Sequence, residues 1–285
     1  MQVKLISVTP NALELLVGTK TTRMRGKSPE EMSPQELYDH FAYMLDTIRS
    51  PFEFVDYVFE ISGVSKNFTH QLVRTRTGAY QQETSRALEI SAFDSVCPDS
   101  FSYNESVDML AKENRLGMLW EDAIANADAS YRALIEAGAE LQDARAVLPS
   151  NMPTSIKAKF NLRTLSDMSK NRLCARTQGE YQNVFRRMRA LVLEQHPWAD
   201  PLLQVACVAT GQCAFPRWGG KRLNPNDLAD RAVIDTRRSG ETFYQCPHYR
   251  PWMDLTEQKN ELRVSFWSRE EIAQANPVAR DGKSM

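Results

Sequence analysis

No apolar run in this sequence approaches the roughly 18 residues that a membrane span requires, so no transmembrane anchor is expected. Histidine is scarce: His40, His70, His196 and His248 are the only four, a thin supply for a histidine-based triad. Neither common glycine-rich phosphate loop is present. A basic excess is missing as well. The formal net charge is -1, whereas proteins that coat nucleic acid carry a strong positive balance, so no nucleic-acid partner is expected. The five cysteines (Cys97, Cys174, Cys207, Cys213, Cys246) are odd in number and lack framework spacing, which fits a reducing cytoplasm. Cys207, Cys213, Cys246 and His248 match the spacing of no familiar zinc module, so no metal is expected and inert thiols are the better reading. The opening Met1–Ser7 stretch is too short in its apolar part for a signal peptide and reads as a first strand. Long repeats and low-complexity blocks are absent.

What is present suffices for a real core: 42% of the 285 residues are apolar, enough for one large domain or two small ones. Val3 to Val8 reads as a strand before a Pro10-Asn11 turn, with Asn11 capping Ala12–Val17. A basic, hydroxyl-rich loop follows over 18–26. Ser33-Pro34-Gln35-Glu36 is a helix start with a capping box and proline at the first helical position. Leu37, Phe41, Met44, Leu45 and Ile48 then recur at helical spacing, predicting an amphipathic helix over Pro34–Arg49. Glu53–Ile61 alternates as a strand, with Val55, Tyr57, Phe59 and Ile61 on one face and Phe54, Asp56, Val58 and Glu60 on the other. Gly63 breaks it, and Ser65 caps a short helix that ends near Arg74. Thr77-Gly78 turns the chain into an exposed polar loop. Residues 88–104 read as loop-rich, followed by helices over about 105–117 and 119–137, the second with Trp120, Ile124, Ala127, Tyr131, Leu134 and Ile135 inward. A strand over Thr154–Asn161 and helices over Arg163–Lys170, Gly179–Gln195 and Pro201–Ala209 complete the periodic part. Residues 215–285 read as an irregular polar extension.

Chemistry concentrates in the stretch 71–86, which holds three arginines, three glutamines and five hydroxyl residues behind an apolar strand. Guanidinium groups suit bidentate capture of phosphate, and glutamines suit the edge of a heterocyclic base. A second basic constellation comprises Arg145, Asn161-Leu162-Arg163, Arg172, Arg176 and Gln178. Two readings are open: the clusters converge on one polyanionic ligand, or each forms unrelated ion pairs with the 36 acidic residues.

Gly63-Val64-Ser65, then His70-Gln71-Leu72-Val73-Arg74-Thr75-Arg76, then Thr84-Ser85-Arg86 after seven residues, resembles the signature of flavin-dependent thymidylate synthases. That signature runs Arg-His-Arg, seven residues, Ser, any residue, Arg. The likeness continues in order through Pro51-Phe52-Glu53, Ala144–Pro149, Asn161-Leu162-Arg163, and Arg172 with Gln178 and Glu180, over roughly residues 1–212. It implies a catalytic module over 1–214. The subunit would be an α/β (α+β) one, with an antiparallel or mixed sheet flanked by helices, in a homotetramer whose FAD sites are built at subunit interfaces. It also implies transfer of a one-carbon unit from methylenetetrahydrofolate to C5 of a pyrimidine deoxynucleotide monophosphate, dUMP in the simplest case, with NADPH as reductant and FAD as hydride donor. No cysteine nucleophile is implied. By the same resemblance Gln71, Arg74, Thr84, Ser85, Arg86, Arg145 and Arg172 contact the nucleotide, Arg86 and Arg145 at its phosphate. Arg172 is the catalytic candidate, facing the pyrimidine. Arg74, Thr75, Arg76, Gln82, Asn161, Arg163, Asp167 and Arg176 lie along FAD, with Thr22 and Val58 beside them.

The departures fall mostly on the flavin side. Thr75 replaces the central His of the signature, Thr84 its last Ser, and Arg176 another His. Val58, Phe54, Ala79 and Ser85 replace Thr, His, Ser, and Gly or Gln. Action on dCMP, hydroxymethylation in place of methylation, and a non-catalytic nucleotide- or nucleic-acid-binding module are the alternatives.

Overall fold

The computed structural model describes residues 1–20, 26–84, 94–98, 101, 112–174, 176–206 and four short strands between 217 and 244. Two compact units make up the chain: Met1–Lys4 with Phe59–Ala158, and Leu5–Val58 with Lys159–Met285. Strands β1 (Gln2–Val8), β2 (Asp56–Ser65), β3 (Ala79–Gln82) and β4 (Pro153–Asn161) form an antiparallel sheet in the order β1-β2-β4-β3, among helices, as the α+β expectation required. The alternation of β2 is as expected: Val55, Tyr57, Phe59 and Ile61 are fully buried, and Val58 and Glu60 are half-buried. The strand itself begins later and runs further, because Ser50–Phe54 winds into a 3-10 turn.

In the first unit, Ser65 ends β2 and caps α3 (Lys66–Leu72), its hydroxyl oxygen accepting from the Phe68 N–H at 3.0 Å. Gly63 sits in the left-handed region at φ 64°, with the Met1 backbone nitrogen 3.2 Å from where a Cβ would stand; glycine fits there for both reasons. The exposed polar loop expected after Thr77-Gly78 is instead strand β3, whose successor Glu83 donates its N–H to the Ser155 carbonyl at 2.9 Å. Pairing with β4 satisfies backbone groups that a polar sequence pattern does not reveal.

The expected pair of helices around Gly117 is one helix, α4 (Lys112–Glu136); the part of the first that precedes 112 lies outside the described residues. Gly117 is not a breaker. A Cβ at that position would come within 2.9 Å of the Phe101 carbonyl oxygen, so the glycine admits a close backbone approach. Tyr131 of α4 is buried as expected, but Leu134, assigned inward, is 37% exposed, and Met118 and Leu119 are 52% and 55% exposed. The short helix α5 (Leu141–Ala144) and a 3-10 turn over Arg145–Val147 lead to β4.

The second unit holds α1 (Ala12–Lys20), α2 (Pro34–Asp46), α6 (Leu162–Arg172) and α7 (Gly179–Gln195). Asn11 precedes α1 at φ 47°. The capping box of α2 is present in both directions: Glu36 N–H donates to Ser33 Oγ at 3.3 Å, and Ser33 N–H to the Glu36 carboxylate at 2.7 Å. That helix stops at Asp46, short of Arg49. Phe41 packs edge-on to Phe52 and Trp198, with ring centroids 6.1 and 5.1 Å away. The helix expected over Pro201–Ala209 is a 3-10 turn, Pro197–Leu202; residues 207–209 lie outside the described residues. Two prolines in six residues deny the backbone donors that a regular α-helix needs. This turn is held by buried polar groups: Arg189 pairs with Asp200 and donates Nε–H to the Leu203 carbonyl at 2.8 Å. Beyond residue 214 the described parts are two short antiparallel pairs, β5 (Arg217–Trp218) with β6 (Lys221–Arg222), and β7 (Ala232–Ile234) with β8 (Thr242–Tyr244).

Candidate functional site

In the first unit, α3 and β3 flank the Arg74-Thr75-Arg76 part of the expected signature. The helix ends at Leu72, and three successive tight turns follow: Arg74 N–H to Gln71 O at 3.3 Å, Thr75 N–H to Leu72 O at 3.0 Å, and Gly78 N–H to Thr75 O at 3.0 Å. Arg74 and Arg76 stand exposed on this turn, with Thr75 half-buried between them. Here the main chain does the folding, so the side chains at 74–76 remain turned to other uses. Gln71 is half-buried on the last turn of α3.

A polar cavity of about 550 Å³ is lined by Lys66 and His70 of α3, by Gln82 of β3, and by Glu83, Thr84, Gln142, Asp143 and Arg145. It brings together three of the expected residues, Gln82, Thr84 and Arg145, from segments sixty residues apart in the chain. Gln82 lies on β3, its amide nitrogen 3.5 Å from the buried Thr154 hydroxyl of β4. Arg145 follows α5 in the 3-10 turn and is half-buried. Lys66, His70, Glu83, Gln142 and Asp143 are not among the expected site residues. Lys66 had a legible signal, since it follows the N-cap Ser65 directly and therefore begins the helix that carries Gln71. Burial, and then the positive charge of Arg145, lower the pKa of the Lys66 ammonium. The two cations line the cavity together with the carboxylates of Glu83 and Asp143.

Asn161, Arg163, Asp167, Arg172 and Arg176 belong to the second unit. Asn161 caps α6, its side-chain oxygen accepting the Thr164 N–H at 2.8 Å, which leaves its amide N–H groups to donate. Arg163 is exposed and bonded to Glu53 at 2.5 Å; Asp167 is exposed and bonded to Lys170 at 2.7 Å. Arg172, in the last turn of α6, lays its guanidinium over the buried Tyr181 ring, 4.2 Å from the centroid. That stacking fixes the plane of the guanidinium while its edge N–H groups still point sideways. Arg176 is exposed. Thr22, Ser85 and Arg86 lie outside the described residues, as do Cys207, Cys213, Cys246 and His248. Among the described residues, no group of three or more His, Cys, Asp or Glu side chains stands together so as to hold a metal ion.

Each unit by itself offers groups of the kind that neutralise phosphates and meet heterocycle edges: the exposed guanidiniums of Arg74 and Arg76 with the Gln82 amide in the first, and Asn161, Arg163 and Arg176 in the second, where Arg163 is bonded to Glu53. What departs is the titratable ring: Thr75 places a small hydroxyl side chain between two arginines.

The family described as thymidylate synthase complementing protein matches residues 4–198. The flavin-dependent thymidylate synthase of Clostridium tetani is 27% identical over 234 residues, spanning 75% of this chain and 90% of its own length. That of Pyrococcus horikoshii is 30% identical over 223 residues, 75% of this chain and 89% of its own. That of Geobacter sulfurreducens is 32% identical over 146 residues, 50% and 59% of the two chains.

Proposed function

The chain belongs to the thymidylate synthase complementing protein family, that of the flavin-dependent thymidylate synthases, and from this premise we propose that it converts dUMP to dTMP. It is an FAD-dependent enzyme that moves a one-carbon unit from methylenetetrahydrofolate to C5 of the pyrimidine. Bound FAD, reduced by NADPH, supplies the hydride that completes the methyl group. Methylation of dUMP displaces dCMP, hydroxymethylation and purely structural nucleotide binding as the reading, because the relatives share one named activity over three quarters of the chain.

The protein's part is to hold charge and position. Arg145 meets the nucleotide phosphate, Lys66 and Thr84 line the same cavity, and Gln71 on the last turn of α3 adds a neutral donor. Ser85, Arg86 and Arg74 complete the nucleotide contacts. Arg172 is the catalytic residue in this reading: it donates to the pyrimidine and stabilises negative charge as C5 becomes nucleophilic. Its stack on Tyr181 supports that role, since a guanidinium held in one plane loses little freedom when it binds. Arg74, Thr75, Arg76, Gln82, Asn161, Arg163, Asp167 and Arg176 hold FAD. The observation that carries the reading is the polar cavity uniting Gln82, Thr84 and Arg145 within the part of the chain that matches the family.

The assembly is a homotetramer in this reading, which the exposed Met118, Leu119 and Leu134 of α4 support as apolar surface in want of cover. Residues 1–214 form the catalytic module and 215–285 an extension, a division supported by the family match ending at 198. No described helix is long and apolar enough to cross a membrane, and the cysteine pattern favours a cytoplasmic setting.

The test is direct. Purified protein is expected to be yellow, with a flavin absorption band, and to produce labelled dTMP from dUMP, labelled methylenetetrahydrofolate and NADPH. A colourless protein that takes up no FAD, or turnover of dCMP alone, overturns the reading.

A further inference from the structure

Tyr80 is the second residue of β3, at the edge of the sheet, and is half-buried. Its hydroxyl lies 2.6 Å from the Thr75 carbonyl and 3.0 Å from the Leu72 carbonyl. One O–H proton serves both, so the bond is three-centred and leans toward Thr75, the nearer oxygen. The two carbonyls already accept from Gly78 N–H and Thr75 N–H, each at 3.0 Å, so the turns close without the tyrosine. The hydroxyl therefore adds something other than backbone satisfaction. It ties an edge strand to the turn that presents Arg74 and Arg76.

The need for such a tie follows from the surroundings. Arg74 and Arg76 are exposed, and the intervening Thr75 is only half-buried, so side-chain packing fixes this turn weakly. A turn that must offer two long cationic side chains to a polyanion loses freedom on binding unless its main chain is already set. We propose that the Tyr80 hydroxyl is a positioning group that holds the Arg74–Arg76 turn in its FAD-binding shape. The inference rests on the assignment of that turn to FAD, and it adds to that reading one of the seven spacer residues between Arg76 and Thr84, to which the signature gives no role. Phenylalanine at 80 would fill the same volume and keep the ring against the sheet, removing one hydroxyl and no backbone bond.

The experiment compares the full chain with its Tyr80→Phe variant in three readouts: FAD affinity by quenching of flavin fluorescence, the visible spectrum of bound flavin, and hydrogen exchange of the FAD-free proteins. The expected result is FAD affinity lower by about tenfold, the size of one net hydrogen bond. A changed flavin spectrum should accompany it, with faster exchange confined to the amides of 74–78. Equal FAD affinity and spectrum in the two proteins overturns the inference while leaving the flavin reading intact. Faster exchange throughout the first unit also overturns it, by making the hydroxyl a general structural bond. Absence of FAD binding in the unmodified chain overturns the flavin reading itself, and the inference falls with it.

Discussion

At the scale of single residues, the cavity beside α3 turns on Arg145. A charge-assisted hydrogen bond to phosphate contributes about 1.5–3 kcal/mol, well above the neutral contacts of Thr84 or Gln82. Arg145→Met is therefore expected to weaken dUMP binding by roughly 10- to 100-fold while leaving the affinity for deoxyuridine, which has no phosphate, nearly unchanged. Calorimetric titration of both ligands checks this; an equal loss for the two would show that the arginine serves the fold rather than the phosphate. Thr75 belongs to the same scale. Its main-chain groups hold the turn, through Leu72 and Gly78, and neither bond uses the side chain at 75. The arginine cluster at 74–86 was legible because its residue types declare their chemistry wherever they sit. Asp143 was not, since a lone aspartate reads as solvated surface until a cavity wall is built around it.

At the scale of elements, the short-range signals were reliable and the long-range ones were not. Ser33 with Glu36 and Ser65 with Phe68 involve groups three residues apart, and both caps are formed as the sequence indicates. Gly117 was misleading because glycine has two uses. It lowers helix propensity by about 1 kcal/mol, which suggests a break, yet it also admits a close neighbour. Here the neighbour is the Phe101 carbonyl, and the helix continues. Gly117→Ala sets these effects against each other: the helix gains about 1 kcal/mol in propensity, while overpacking against a backbone oxygen costs about 1–3 kcal/mol. The clash is expected to win, lowering stability by up to about 2 kcal/mol in urea melts. A more stable variant would mean that the Phe101 segment yields freely. Strand β3 escaped notice for the opposite reason. Its residues are polar on both sides, so no alternation marks it, and only its partner in the sheet defines it.

For the molecule as a whole, acid sensitivity follows from two half-buried histidines. His196 Nδ1 is 2.8 Å from the Tyr57 hydroxyl, and burial lowers its pKa from the ordinary 6.5. The His40 pKa is lowered too, first by burial and then by the charge of Lys20, whose amine is 2.9 Å from Nδ1. The unfolded chain binds protons at these rings before the folded one does, so stability falls as pH drops through about 6.5 and is fully present above it. His196→Gln is expected to flatten part of that slope in thermal melts between about pH 7.5 and 5.5, leaving the His40 share. An unchanged slope would show that the imidazole titrates alike in both states. The Arg189–Asp200 pair shows the same competition. Burial raises the pKa of the carboxyl and lowers that of the guanidinium, so desolvation outweighs the ion pair for both partners.

The sequence by itself determined the caps, the inward face of β2, the span of α7 and the family, because each depends on residue types at short or fixed spacing. Only the tertiary structure decided that Lys66 and Arg145 share a cavity, that Gly117 lies inside a helix, and that Tyr80 reaches back to Thr75. Those facts depend on which distant backbone comes close to which. Local pattern carries no record of that approach, since the same side chains would obey the same periodicities in solvent.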